Sequence, residues 1–361
     1  AVAAAGPGAA VRVVLASCSH QDLPQPTWAA VAAEEPHAFV WTGDAAYPKG
    51  GVDALRDALA VQKRHPGYEE VRRRAGLVTG TWDDHDMGVN DGGKNVPHLH
   101  ERQNAFLDFL DEPRDSPLRS PGRGVYRSVL LGDPPHQLKL LLLDTRSFRD
   151  DPLVPSGAHL RLPLSAMYSA AWRVAAALMG LTSPTADVLG EAQWEWLRQE
   201  LEASPAAAHV VVSSVQVLTS NPAVESWAHF PAARRRLLSL LRDARPRGLL
   251  LVSGDVHHAE LSAAAAPGGG PPVVEVTSSG LTHTCVTGVL QGVLCPLMLS
   301  AFSSHRLRPT AHYTGLNYAV VELHRDGRLA AAVRDVNGSD VLGLRLPGGA
   351  AGAAGDARPP R

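Results

Sequence analysis

Cysteine is nearly absent from the 361-residue chain, which has only Cys18, Cys285 and Cys295. So few, and an odd number, exclude a disulfide framework as the organising element, although Cys285 and Cys295 are open to pairing. Aromatic residues make up only 5% of the sequence, and many small positions are alanine. There is no excess of positive charge either: the formal net charge is -2. A general nucleic-acid binder needs a basic surplus to displace counterions, so that class is excluded. The basic runs Arg72-Arg73-Arg74 and Arg234-Arg235-Arg236 are read as solvated helix faces. No apolar run reaches a comfortable membrane span. The longest, residues 286–302 (VTGVLQGVLCPLMLSAF), is interrupted by Gly288, Gln291, Gly292 and Pro296. It reads as a buried or mouth-lining helix, with membrane contact as the secondary reading. No G-x-S-x-G follows a strand, which disfavours a serine hydrolase. The first residues, AVAAAGPGAA, hold no methionine, as in a processed or trimmed chain.

What is present is globular: 45% hydrophobic and 19% charged residues. Short apolar runs at residues 11–17, 37–42, 77–82, 137–143, 209–213 and 248–253 read as strands buried on both faces. Helical spacing lies between several of them, as in Trp194, Leu197 and Leu201, or in Leu237, Leu238 and Leu241. Later runs, VVEVTS, NYAVVELH and RLAAAVRDV, are strand-like, and Asp326-Gly327 signals a hairpin turn. Alternating β and α followed by mainly β predicts an α/β fold with two sheets. Residues 161–190 read as a helical insertion. Residues 1–345 are expected to form one domain, and the low-complexity residues 346–361 a disordered tail.

The residues that follow the apolar runs are chemically selective. The first run ends in Ser17-Cys18-Ser19-His20, the second in Gly43-Asp44-Ala45-Ala46-Tyr47, the third in Trp82-Asp83-Asp84-His85-Asp86. Two more end in Asp144-Thr145-Arg146 and Gly254-Asp255-Val256-His257-His258. In open α/β architectures ligands bind at the carboxyl ends of strands, so these ends are expected to converge on one cleft. Carboxylates crowded in that way need positive charge, which multivalent metal ions supply. Each signal alone has a plainer explanation: a turn for Gly43-Asp44, a buried small hydrophobe for Cys18, a half-buried ring for Tyr47. Their joint occurrence carries the argument.

The motifs GDxxY, WDDHD, LDTR, GEAQWEWL and SGDVHHAE, in this order, resemble the PhoD-like alkaline phosphatases and phosphodiesterases of the calcineurin-like metallophosphoesterase superfamily. The resemblance runs from about residue 11 to about residue 279. It implies a four-layer α/β/β/α sandwich of two mixed sheets with its site at the strand ends. It makes Asp44 the bridging metal ligand and Asp84 a ligand of the second metal position, with Cys18, Tyr47, Asp255 and His257 as the remaining ligands. It also implies iron(III) beside calcium, with other divalent metals as alternatives; thiolate and phenolate suit trivalent iron, and oxygen donors suit calcium. His85 takes the place of the superfamily histidine of the Gly-Asn-His-Glu motif. The chain departs from the superfamily where VVVSSVQVL puts Ser214 or Gln216 in place of a histidine ligand. Asp86 stands where the bacterial pattern has glutamate, and NDGGKN and ESWAHFPAAR resemble a eukaryotic-type branch.

These roles predict hydrolysis of phosphate esters, with monoester and diester substrates both open, by a metal-bound hydroxide or oxide attacking phosphorus in line. His85 is expected to serve the leaving oxygen, with Asp86 orienting its imidazole. Arg146, with Asn90 and Lys94, is expected to hold non-bridging oxygens. His258 is a substrate or outer-sphere candidate that faces the site or solvent. Asp83 is read as a structural acid, and His20, His98 and His100 as loop residues. The rival expectation is a metal-dependent phosphate- or lipid-binding protein of the same fold without turnover. A monomer with a small-molecule phosphate-ester substrate, no nucleic-acid partner and no transmembrane span is expected. Export to an extracellular or organellar lumen is the expected location, with intracellular residence left open.

Overall fold

In the computed structural model, which describes residues 9–154, 165–202, 204–265 and 272–347, the apolar runs form the centres of two sheets. The first takes β1 (Ala9–Ala16), β2 (Ala38–Thr42) and β3 (Val78–Thr81) in parallel. It continues on the other side of β1 through the antiparallel β11 (Asn317–His324), β12 (Leu329–Asp335) and β13 (Asp340–Leu346). The Asp326-Gly327 pair turns β11 into β12, with Gly327 at φ 81° supplying the left-handed step. The second sheet places β5 (Leu138–Leu142), β6 (Ala208–Ser213), β7 (Leu249–Ser253) and β9 (Val273–Thr277) in parallel. Antiparallel strands flank them: β4 (Arg127–Leu131) on one side, β8 (Ala259–Ala264) and the short β10 (His312–Tyr313) on the other. Both sheets are mixed, as expected.

Side-chain alternation builds the layers. Val13 and Leu15 of β1 and Val40 of β2 point inward, against Leu140, Leu142, Val210, Val212, Leu250 and Val252 of the other sheet. Their neighbours Val14, Ala16, Phe39 and Trp41 point outward. There they meet Trp28 of α1 (Trp28–Ala33), Leu55 of α2 (Val52–Lys63), Tyr68 of α3 (Pro66–Arg74), and Phe106 and Phe109 of α5 (Leu99–Phe109). On the far side, Leu141, Val211 and Leu251 pack against Trp194, Leu197 and Leu201 of α7 (Gly190–Glu202). Leu237 and Leu241 of α8 (Pro231–Ala244) complete that face. The result is four layers, α/β/β/α. Gly80 of β3 is glycine for a packing reason: a Cβ there would lie 2.5 Å from that of Trp41.

Within the segment read as an insertion, α6 (Ser165–Leu178) is helical, and residues 155–164 lie outside the described residues. The tail expectation also lies outside them from residue 348 onward. The apolar segment at 286–302 forms a helix, α9 (Val289–Ala301), with Cys295 and Leu299 buried but Leu290, Val293 and Leu297 exposed, so of the two expectations for it the buried one is corrected. No helix among the described residues is long and apolar enough to cross a membrane. Cys285 and Cys295 are joined by a disulfide, which ties the loop before α9 to the helix itself.

Candidate metal centre

Five strand ends, from both sheets, meet at one edge of the sandwich. Cys18 follows β1, Asp44 and Tyr47 follow β2, and Asp83 to Asp86 follow β3, opening the four-residue α4 (Asp84–Met87). Asp255 and His257 follow β7, and Ser279 follows β9. The backbone bends sharply to deliver them. Gly43 has φ +107°, and a Cβ there would lie 2.5 Å from the Asp83 Cβ, so only glycine lets the two loops approach. Cys18, Asp44, Asp91, Asp255 and His257 all have positive φ, between 52° and 72°. Left-handed backbone at non-glycine residues persists only where the surroundings enforce it, and it gathers at functional sites.

Asp44 is the hub. Its Oδ2 accepts a hydrogen bond from the Tyr47 hydroxyl at 2.9 Å and lies 3.7 Å from the Cys18 sulfur. Its Oδ1 accepts from the His85 backbone N–H at 3.3 Å. The Tyr47 oxygen is 3.3 Å from His257 Nε2, and Cys18 Sγ is 3.0 Å from Ser279 Oγ. Three sets of donor atoms that share Asp44 each lie within 4.8 Å of one another: Cys18, Asp44 and His257; Asp44, Asp84 and His85; Asp44, Asp83, Asp84 and Asp255. A further set joins Asp84 to Asp91 and Glu225. The structure thus brings together all six residues expected as ligands, and His85 with them.

The electrostatics are those of a site built for cations. Burial, then the charges of Asp84, Asp83, Asp86 and Asp255, push Asp44 well above the usual carboxylate range. Burial and the neighbouring acids Asp83 and Asp84 do the same to Asp255. Burial and Asp44 raise both the Cys18 thiol and the Tyr47 phenol. For Asp84 burial works upward too, but the positive charges of His85 and Arg146 prevail and bring it down to about 2. Three buried carboxylate oxygens, Asp83 Oδ2, Asp84 Oδ1 and Glu225 Oε2, have no hydrogen-bond partner. Orphaned anionic oxygens in a cluster of three buried acids and the half-buried Asp255 fit bound cations. The donor sets also differ in softness: sulfur and imidazole join Asp44 in one, with the Tyr47 phenol on the same carboxylate oxygen, whereas carboxylates dominate the others.

Several expected roles need correction. Arg146 is fully buried, with Nε on Asp83 and Nη1 on Glu225 Oε1 at 2.7 Å. Two of its nitrogens thus brace the acids, while its buried Nη2 has no hydrogen-bond partner among the described residues. Asp86 does not hold the His85 ring. Its Oδ1 accepts the Ala45 N–H at 2.9 Å and the Ala46 N–H at 3.3 Å, while Oδ2 accepts the Asp83 N–H at 2.9 Å. It therefore fixes the backbone of the Asp44 loop. Lys94 pairs with Asp150 on the surface. His258 is buried, with Nδ1 2.9 Å from its own loop's Val256 carbonyl and Nε2 3.5 Å from Glu260. Asn90 donates to Asp91 Oδ1 at 3.0 Å and lines a cleft with Gly92, Asn95 and Val96. Asp83, read as structural, is bound by Arg146 and Ser214, yet Oδ2 remains unpartnered. Ser214 and Gln216 serve Asp83 and Glu260 respectively.

Sequence reasoning missed Asp91, Glu225 and two histidines. The Asp91 N–H donates to Asp84 Oδ2 at 2.6 Å, and Glu225 joins Arg146 to Arg149. His20 stacks on Tyr47 at 5.2 Å, and His283 lies 5.0 Å from Tyr47 and 4.4 Å from His257, ring centre to ring centre. Asp91 and Glu225 sit in NDGGKN and ESWAHFPAAR, stretches singled out above in which neither of the two acids was given a role. His20 closes the first run but reads there as a loop residue, and His283 carries no sequence signal beyond its type.

Comparison with known proteins places this arrangement. The family description PhoD-like phosphatase matches residues 53–293. Alkaline phosphatase D of Bacillus subtilis (strain 168) is 24% identical over 196 residues, 49% of this chain but only 30% of that protein. The match thus spans about a third of that relative's length. Among solved structures, one of PhoD superposes with a TM-score of 0.66 at 16% identity, covering 93% of this chain and 69% of that one. Purple acid phosphatase PPD1 from yellow lupin (Lupinus luteus) seeds superposes with a TM-score of 0.56 at 11% identity, covering 93% and 53%. GAP50, the anchor in the inner membrane complex of Plasmodium, does so at 0.52 and 13%, covering 94% and 89%. The fold is metallophosphoesterase-like.

Proposed function

Because the chain belongs to the PhoD-like phosphatase family, we propose that it hydrolyses phosphate esters at the Asp44 cluster, with metal ions as cofactors. The observation that carries this reading is the convergence of buried Asp44 and Asp84 and half-buried Asp255 with Cys18, Tyr47 and His257, beside the orphaned oxygens of Asp83 and Asp84. Cys18, Tyr47, Asp44 and His257 suit iron(III), and the carboxylates of Asp44, Asp84 and Asp255 suit calcium. Cations bound there supply Lewis acidity to the phosphoryl group and lower the proton affinity of the attacking water.

The chain's own residues do the rest. Asp44, shared by three donor sets, would be a ligand to the cations held there. His85 lies half-exposed beside Asp44 and Asp84, its ring 4.1 Å from that of Tyr47, where it can deliver a ring-nitrogen proton to the leaving oxygen. Arg146 neutralises Asp83 and so keeps one oxygen of that acid directed to the cluster. Asp86 holds the Asp44 loop by its backbone.

The fold alone does not decide turnover, since it also serves an anchor protein. The test is elemental analysis with assays of an aryl phosphate and a diaryl phosphate, with and without chelator. Hydrolysis that stops on metal removal is expected, Asp44→Ala losing metal and His85→Ala keeping metal but slowing about a hundredfold. Metal-loaded protein that binds phosphate without turning over either ester would make it a binding protein instead. Turnover by metal-free protein would end the reading.

A further inference from the structure

Asp91 of the stretch NDGGKN shares a donor set with Asp84, and the chain around it walls a cleft beside the metal centre. The cleft measures about 220 Å³, and Val89, Val96, Pro97 and Pro152 supply its apolar sides. Its loop is bound to the candidate ligand Asp84 at two points. Val89 N–H donates to the Asp84 carbonyl at 3.2 Å, and Asp91 N–H donates to Asp84 Oδ2 at 2.6 Å. Behind the loop, the Gly92 carbonyl accepts from Arg149 Nη2 at 3.1 Å, and Lys94 N–H donates to the Arg149 carbonyl at 3.0 Å. The cleft is thereby fixed next to the carboxylate that His85 also flanks. Gly92 keeps it open: a Cβ there would lie 2.9 Å from Val96 Cγ2 and 3.4 Å from the Val89 Cβ, closing the space between the two valines.

Size and charge decide what the cleft can take. An apolar cavity of about 150 Å³ holds benzene, so this one admits a single ring or a branched chain of similar bulk. It falls below the roughly 300–1,000 Å³ of sites that enclose drug-sized ligands. Its polar lining includes two carboxylates, Asp91 and Asp151, and no Lys or Arg among the described residues. Arg173 of α6 matches Asp91, whereas Asp151 accepts from the neutral Asn95 Nδ2 at 2.9 Å. Such a rim repels a second anionic group on a substrate.

We propose that this cleft receives the alcohol moiety of the phosphate ester, an uncharged group of one ring or its aliphatic equivalent, a reading that rests on the proposed hydrolysis at the Asp44 cluster. The experiment compares wild type, Val96→Phe and Val96→Ala as metal-loaded proteins. Calorimetry gives the affinities for methylphosphonate, benzylphosphonate and a carboxylated benzylphosphonate, which resist hydrolysis. Metal content is read alongside, with kcat/KM for phenyl and methyl phosphate. Wild type should bind benzylphosphonate about tenfold more tightly than methylphosphonate, and the carboxylated ring should lose much of that gain. Val96→Phe fills the cleft and Val96→Ala loosens it. Both should shrink the benzyl-to-methyl ratio of affinities and the phenyl-to-methyl ratio of kcat/KM, Val96→Phe by about tenfold, with metal content unchanged. If Val96→Phe does not fold, Val96→Ala decides alone. Ratios equal to wild type would overturn the proposal, while turnover of either ester by wild type upheld the hydrolase reading. Ratios that move only as metal is lost would overturn it too, as would a carboxylated ring that binds as tightly as the plain one. A wild type that shows the Val96-dependent preference but hydrolyses neither ester would defeat the hydrolase reading and leave the cleft as the site for the organic part of the ligand.

Discussion

Alanine at position 86 discriminates most sharply between two accounts of the centre. If Asp86 oriented the His85 imidazole, its loss would alter proton transfer and little else. The structure instead gives it three backbone donors, the N–H groups of Ala45, Ala46 and Asp83, in a place with no access to solvent. A stranded buried donor costs about 1–3 kcal/mol, so three cost about 3 kcal/mol or more, water entering the space keeping the figure near the lower end. At about 2–4 °C per kcal/mol for a large domain, the melting temperature should fall by roughly 6–12 °C. Ala45 follows Asp44 and Asp83 precedes Asp84, so metal affinity should fall as well, by about ten- to a hundredfold, as for other supporting partners of ligands. Asp86→Asn keeps one acceptor oxygen and should fall between the two. Thermal melts and metal titrations of the three proteins decide the matter. An Asp86→Ala protein that melts with wild type and holds its metals, but shows an altered acid limb in its pH–rate profile, would refute the backbone role.

Behind the site, Glu260 accepts from Arg306 Nε at 2.7 Å and is 2.9 Å from His305 Nε2, all three side chains buried. Burial works to raise the Glu260 carboxyl, but hydrogen bonds from His258 and His305 hold it well below its usual value. A depressed carboxyl stabilises above its unfolded pKa of about 4.3 and loses that contribution as pH falls towards the folded value. Glu260→Gln should therefore flatten stability below about pH 4 and, by leaving Arg306 unpaired, cost about 3–5 kcal/mol at neutral pH in a denaturant titration. In β3, Gly80→Ala should destabilise by about 1–3 kcal/mol, because its methyl group would meet Trp41 at 2.5 Å; an unchanged denaturation midpoint would show that the strands separate easily.

The sandwich was largely legible because its strands announce themselves by uninterrupted aliphatic runs that end in polar residues. Residues 138–142 and 249–253 are buried on both faces for that reason. The donor set was legible for the same cause: every expected ligand lies within four residues or so of such an ending. What escaped depends on partners distant in sequence. The bracing of Arg146 depends on Glu225, 79 residues away. Asp86 satisfies the loop after β2, 40 and 41 residues upstream. His283 gains its neighbours only because the ends of β9 and β1 come together, which no spacing in the chain encodes. The exposed face of α9 was hidden in a run whose composition reads equally well as interior.

The donors come from opposite halves of the sandwich: Cys18, Asp44 and Asp84 hang from the ends of one sheet, Asp255 and His257 from the other. Cations between them would clasp the halves together across an edge where four acids otherwise push them apart. A ligand present at a thousand times its dissociation constant adds about 4 kcal/mol to the folded state, comparable to a good fraction of a domain's whole stability. Metal scarcity would then first show as a protein that opens and is degraded, before any pool of intact, idle apoprotein could accumulate.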